Sequence, residues 1–368
     1  MKRILIAIIK IGISCAILGY LFQQAWRDDS FLALYEQPKR WSLLALAWVA
    51  AIVSLLLTIV RWRILVQALG IPFALRDALR LGMLGYLFNF FTLGIVGGDV
   101  LKAVMIARRQ HGQRLEAVSS VLVDRVIGLY ALFLVASVAI LSLDWGALQV
   151  RDEAQLAAVR RVCSATIGLA AIGGICSALV MTPAVTRLRF VQFFTHLPRI
   201  GIWIGRIIDA VQLYQQRKGA LTVGMVLSFA VHLLSTASVF LVAQGLPGNA
   251  PSFAAHFVIV PIAMVAGAIP LPGGLGAVEY ALDFLYRGIS SVEIAERQGF
   301  IIALAYRVLT MVIASIGLVY YLAGRRELRT VMREVEDESA SPDGPDSAAP
   351  ATAPAAASSP LGADAAQI

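Results

Sequence analysis

The chain has 368 residues, of which 59% are hydrophobic and only 15% charged, with a mean hydropathy of +0.77. A soluble domain carries about 25% charged residues, so this composition excludes an ordinary soluble enzyme and predicts an all-α polytopic membrane protein. The net charge of +8 understates the basic character of the apolar part, because all 31 Lys and Arg precede residue 334 against 16 of the 23 acids, a net of +15. In so apolar a chain that excess reports topology and anionic lipid headgroups, and no nucleic acid partner is expected.

In chain order, the opening basic residues Lys2 and Arg3 precede an apolar stretch, as in a secretion signal. The stretch runs on through Tyr20 and Phe22 without a small-residue cleavage site, which makes Ile4–Phe22 a retained transmembrane helix with Lys10 snorkelling or facing the bundle. Further full-length spans are expected at Trp41–Val60, Val118–Leu143, Val162–Met181, Gly219–Gln244 and Phe300–Ala323, about six in all. Two other apolar stretches, Leu81–Val96 and Phe257–Ala277, are short or broken by Gly and Pro. Cys15, Cys163 and Cys176 lie in apolar runs without metal-ligand spacing and read as packing residues, so neither a metal nor another cofactor is expected.

The two broken stretches decide the topology. If both crossed the membrane, the basic stretch Lys102–Arg114 would lie opposite the basic segment Arg61–Arg80, against the cytoplasmic bias of Lys and Arg. If both instead enter and leave on one side, 20 basic residues fall in the cytoplasm, Arg61 and Lys102 among them, and seven, including Arg160, Arg161 and Arg297, fall outside. Both termini are then cytoplasmic. Residues 1–143 read helix, helix, re-entrant segment, helix from inside, and residues 162–323 repeat that order from outside, an inverted repeat. Re-entrant backbone requires burial in protein or a wet cavity, so this arrangement also predicts a cavity at the meeting of the two broken segments.

Those segments carry the chemistry. The first runs from Asn89 through Gly97, Gly98 and Asp99 to Lys102; the second contains Pro270, Pro272, Gly273, Gly274 and Gly276 and ends at Glu279. Glycines allow close backbone approach and prolines remove N–H donors, so both can break a helix at membrane depth. Asp99 is followed 26 residues later by Arg125 and Glu279 28 residues later by Arg307, each arginine eight residues into the next span. An arginine so deep costs about 2.5–3.5 kcal/mol on insertion scales and requires a partner or a cavity. Two readings stay open: Asp99–Arg125 and Glu279–Arg307 are structural ion pairs that lock the broken segments, or they contact a headgroup, where an arginine forks onto phosphate and a half-helix N-terminus adds N–H donors.

Glu279, Asp283 and Arg287 share one helical face, which reads as a wet face; His232 reads as packed or hydrogen-bonded. The segment Pro183–Lys218 mixes Phe190, Phe193, Phe194 and Trp203 with six basic residues, which suits a helix lying on an anionic leaflet. Residues 326–368 are expected as a cytoplasmic tail, disordered from about Ser339, where Ala, Pro, Ser, Gly and Asp dominate without periodicity. Phosphate-loop, zinc-protease, nucleophile-elbow and dinucleotide-binding signatures are missing, so no enzyme is expected.

The run Gly85–Asn89, then Gly97 through Lys102 and Ala103, Ala117 through Asp124 and Arg125, and Pro272 through Glu279 with Arg307, resembles the membrane region of lysylphosphatidylglycerol synthetases over about residues 1–325. The resemblance implies a flippase-like domain that moves lipid between the leaflets of the cytoplasmic membrane, here without the soluble transferase domain that makes the lipid. It also implies a substrate-binding set of Asn89, Gly97, Gly98, Asp99, Lys102, Arg125, Pro272, Gly273, Gly274, Gly276, Glu279 and Arg307. The partner is then an anionic phospholipid or a polyprenyl phosphate, with a lipid-modifying enzyme or a second copy of the chain as candidate protein partners. Where the family often has Asn-Asn and a Pro ahead of Gly-Gly-Asp, this chain has Asn89-Phe90 and Leu93. The alternative function is a membrane-embedded transferase, or an accessory subunit of one, with Asp99 or Glu279 as general base; a third is a scaffold held by purely structural pairs.

Overall fold

The computed structural model describes residues 2–27, 34–91, 97–109, 114–147, 153–182, 211–267, 274–290, Ile294 and 297–340. Two compact units are present, Met1–Ala323 and Gly324–Ile368. The principal helices are α1 (Lys2–Arg27), α2 (Trp41–Ala68), α3 (Leu75–Phe91), α4 (Gly97–Arg109), α5 (Arg114–Ser142), α6 (Glu153–Val180), α7 (Lys218–Gly245), α8 (Phe253–Ala266), α9 (Ala277–Gly288) and α10 (Gln298–Ala340). Five of them, within α2, α5, α6, α7 and α10, are long and apolar enough to cross a membrane, and α1 is a further helix of 26 residues. The protein is therefore a multi-pass helical membrane protein.

Two pairs of shorter helices stand apart. Helices α3 and α4 have 17 and 13 residues, and α8 and α9 have 14 and 12. At a rise of about 1.5 Å per residue the last three reach only about 18–21 Å, short of a hydrocarbon core of about 30 Å. Each pair folds back on itself. Gly98 packs so tightly against Gly85 that a Cβ on it would lie 1.9 Å from the Gly85 carbonyl oxygen, and Lys102 also lies against Gly85. In the second pair Gly274 packs on Gly267 and the Tyr286 hydroxyl meets His256 Nε2 at 2.6 Å. The broken segments expected from their glycines and prolines are thus two antiparallel helical hairpins.

Helix α2 packs along α7, and both contact α5. Their seam is built from small residues, Ala47, Ala50, Ala51 and Ser54 facing Gly224, Ser228, Ser235 and Ser238. Between lipid-embedded helices apolar burial gives no preference for association, so close backbone packing and hydroxyl bonds hold the seam. Ser54 Oγ donates to the Val231 carbonyl at 3.2 Å and meets Ser235 Oγ at 2.7 Å, and Ser238 Oγ donates to the Ala47 carbonyl at 2.7 Å.

Several expected ends are displaced. Helix α2 continues past Val60 through Arg61 and Arg63 because Arg61 is neutralised inside the bundle and need not reach water. Helix α6 begins at Glu153 rather than Val162, with Arg160 over the Trp145 ring at 5.8 Å. Arg61, Lys102 and Arg297, all counted as loop charges in the topology argument, are buried and ion-paired. Helix α10 runs beyond the expected span end at Ala323, through to Ala340. The basic-aromatic segment 183–210, residues 341–368 and the side chain of Lys10 lie outside the described residues. Cys163 is packed as expected, whereas Cys15 and Cys176 are exposed on the helix surface.

Candidate functional site

Each hairpin presents an acid as the third residue of its second helix, Asp99 in α4 and Glu279 in α9, where the helix dipole favours negative charge. Arg125 Nη2 donates to Asp99 Oδ1 at 2.6 Å, and its Nε pairs with Oδ2. Arg307 Nε donates to Glu279 Oε1. Both acid and arginine pairs expected from spacing are formed. The two sets differ in setting: Asp99 has a second cation, Lys102, at 3.6 Å, and the Arg125 side chain is 41% exposed, whereas the Glu279 side chain is 1% exposed and that of Arg307 12%.

The turns account for Asn89, Gly274 and Gly276 without a ligand. Asn89 Oδ1, on α3, accepts the Gly98 N–H at 3.1 Å and so caps α4 across the break. Glu279 Oε2 accepts the Gly276 N–H at 2.8 Å, at the end of a turn in which Gly274 and Gly276 have φ of +67° and +86°. A side chain at either position would be strained in this left-handed backbone region. The expectation that these helix ends offer N–H groups to an anion is therefore corrected at Gly98 and Gly276, whose N–H groups are taken up internally. Gly97 opens α4; Pro272 and Gly273 lie outside the described residues.

Members of both sets line one cavity of about 400 Å³. Asn89, Lys102 and Arg125 reach it from the first half, and Glu279, Tyr306 and Arg307 from the second. Ser54, Thr58, Tyr86, His232, Ser235 and Thr310 complete its polar wall. His232 is hydrogen-bonded as expected, with Nε2 2.9 Å from the Gly128 carbonyl. Counting Asp99 with its partners, three cations face two carboxylates, a net charge of +1 in a site surrounded by apolar helices. Among the described residues no cluster of acid, His and Cys side chains could hold a metal.

The residues so arranged lie within the matched part of a known sequence family. Residues 7–317 match the family model described as Lysylphosphatidylglycerol synthase TM region. The chain belongs to this family. No curated protein matches the sequence.

Two charge clusters were missed by the sequence argument. Arg61 on α2 donates from Nε and Nη2 to the two oxygens of Asp124 on α5, at 2.8 and 3.0 Å, and from Nη1 to Ser228 Oγ on α7 at 2.8 Å. Asp283, expected on a wet face, is 1% exposed: Arg297 Nη1 lies 2.7 Å and Arg287 Nη2 3.4 Å from Oδ2, and Oδ1 accepts the Phe300 N–H at 3.3 Å. Glu279 on the same face is equally buried, so the stripe is an internal charged seam joining α9 to α10. Its i, i+4 spacing specifies one face but not what covers that face.

Proposed function

We propose that the protein is a flippase-type transporter that moves an anionic lipid between the leaflets of the cytoplasmic membrane without covalent change. The observation that carries the reading is the cavity between the two helical hairpins, with a net charge of +1 supplied by Lys102, Arg125 and Arg307 against Asp99 and Glu279. Such a site stabilises one phosphate charge that would otherwise face hydrocarbon, and the guanidinium of Arg125 or Arg307 can fork onto it. The acyl chains stay in lipid while the headgroup crosses through the protein.

An inverted repeat supplies the alternation. Glu279 follows Asp99 by 180 positions, Arg307 follows Arg125 by 182, and Ser235 follows Ser54 by 181. Ser54 and Ser235 touch, as equivalent residues do where antiparallel helices cross on a two-fold axis, so the α2–α7 seam is the natural axis between the halves. On this reading both hairpins are re-entrant. A single cysteine at Arg76 and another at Arg108 should then react with an impermeant maleimide from the same side of the membrane; reaction from opposite sides would overturn the repeat.

The transport reading is tested with full-length protein in phosphatidylcholine liposomes carrying acyl-labelled phosphatidylglycerol. Expected is leaflet exchange, read as dithionite quenching beyond one half of the label, with the lipid recovered unchanged. Recovery of a modified lipid would favour the transferase alternative, and an absence of exchange would remove the transport reading.

A further inference from the structure

Helices α5 and α10 carry equivalent lipid-facing surfaces around their arginines. At the spacing of 182 that relates Arg125 to Arg307, Val126 corresponds to Val308 and Leu129 to Met311. These four are exposed to nearly the same degree, Val126 54% and Val308 56%, Leu129 48% and Met311 46%. None of them lines the cavity, so in a spanning helix they face acyl chains. The arginines break the match, since the Arg125 side chain is 41% exposed and that of Arg307 12%. Both arginines line the same cavity and both are paired with an acid, so neither the cavity nor the pairing accounts for the difference. Arg125 shares its side of α5 with the exposed residues Leu122, Val126 and Leu129, and so stands at the edge of the lipid face.

The packing around the two helices differs in the same sense. Gly317 on α10 lies so close to α3 that a Cβ on it would be 2.5 Å from the Met83 carbonyl oxygen, and the Phe88 and Tyr321 rings meet with centroids 6.1 Å apart. Val135, the equivalent of Gly317 on α5, instead lines an apolar groove of about 470 Å³ shared with Ala254 and Phe257 of α8, the first helix of the other hairpin. A seam with such a gap forfeits dispersion contacts that the α3–α10 seam keeps, so the α5 side is the looser of the two.

We propose that the cavity meets the bilayer through two lateral portals related by the repeat, one at Arg125 on α5, open in this conformation, and one at Arg307 on α10, shut in it, and that the halves exchange these arrangements in each cycle. The lipid headgroup enters beside one arginine and leaves beside the other, while its chains slide along the exposed faces. On the re-entrant reading α5 rises from the cytoplasmic face and α10 descends from the outer one, so the portals serve opposite leaflets. Equal apolar faces around unequally covered arginines are what an inverted repeat presents when it rests in one of its two states.

This proposal rests on the transport reading, and the variants separate the two. Full-length protein in phosphatidylcholine liposomes is given acyl-labelled phosphatidylglycerol. Val126→Trp and Val308→Trp each place an indole at one portal, and Leu169→Trp places one on the exposed face of α6, outside the cavity lining. Each portal variant is expected to slow exchange at least about tenfold, equivalent to about 1.4 kcal/mol in the barrier. Leu169→Trp should exchange as the wild type does, and all three should keep the wild-type unfolding temperature in detergent. Bridging Phe88→Cys/Tyr321→Cys with a reducible bis-methanethiosulfonate reagent should hold the second portal shut and stop exchange until the bridge is reduced. The same reagent should leave the wild type active, although its Cys15 and Cys176 are exposed. Wild-type rates in the portal variants, an equal slowing by Leu169→Trp, or full exchange by the bridged protein would overturn the portals and leave the transport reading standing. If the wild type exchanges no lipid, the transport reading falls, and photolabelling still decides access. A phosphatidylglycerol with a diazirine on its headgroup should label α5 around Arg125 in preference to α10 around Arg307, and equal labelling of the two overturns the open and shut assignment.

Discussion

Replacing Arg61 by Met is expected to lower the stability of the protein by about 3–5 kcal/mol, the cost of stranding a buried charge. Arg61 and Asp124 each expose only 5% of their side chains, and among the described residues no other cation lies within bonding distance of Asp124. Asp124→Leu should cost a similar amount by stranding Arg61. The double replacement Arg61→Met/Asp124→Leu removes both charges, and buried pairs exchanged for apolar residues of similar volume are often neutral or stabilising. Ser228 keeps a partner in the double variant, because its hydroxyl donates to the Gly224 carbonyl at 2.7 Å. Neither Arg61 nor Asp124 lines the cavity, so the double variant should also retain lipid exchange. Unfolding temperature in detergent and exchange in liposomes check this. A double variant as unstable as the singles would contradict the pairing, and one that is stable but inactive would give the pair a part in the transport cycle.

That pair also marks where the sequence stops being legible. The Asp99–Arg125 and Glu279–Arg307 pairs were readable because each acid follows a glycine-rich break and each arginine lies inside an apolar span, at the closely similar spacings of 26 and 28 residues. Arg61 and Asp124 lack such a frame. They lie 63 positions apart, Arg61 sits where an apolar run ends, and Asp124 has no acid-and-arginine spacing of its own to set it apart from Arg125. One available signal was that both acid and base fall inside or beside helices at membrane depth, where every charge needs a partner. The burial of Asp283 was illegible for a different reason. Periodicity places it with Glu279 on one face, but only the return of the chain at Arg297 and Phe300 covers that face. Hairpins, by contrast, follow from local chemistry: Gly98 has no room for a side chain and Gly274 and Gly276 require positive φ.

The acid and arginine sets of the cavity should behave unlike Arg61 and Asp124, and unlike each other. Arg307→Ala strands Glu279, whose side chain is 1% exposed and whose other bond is to a backbone N–H, so a loss of about 3–5 kcal/mol is expected. Arg125→Ala should cost less, because Lys102 remains 3.6 Å from Asp99 and the Arg125 side chain is already 41% exposed. Restoring charge balance separates structure from function. Arg307→Ala/Glu279→Gln leaves the amide able to accept the Gly276 N–H and should regain most of the lost stability. If Arg307 only neutralises Glu279, this variant also regains lipid exchange. If it holds the lipid phosphate, the variant folds and remains inactive, and Arg307→Lys recovers exchange only in part because a single ammonium cannot form the two parallel bonds of a guanidinium. The second outcome is expected, since removing Arg307 and Glu279 together keeps the net charge at +1 but deletes the forked donor that grips the headgroup. Full exchange by the balanced double variant would reduce the Glu279 and Arg307 set to a tie between hairpin and helix.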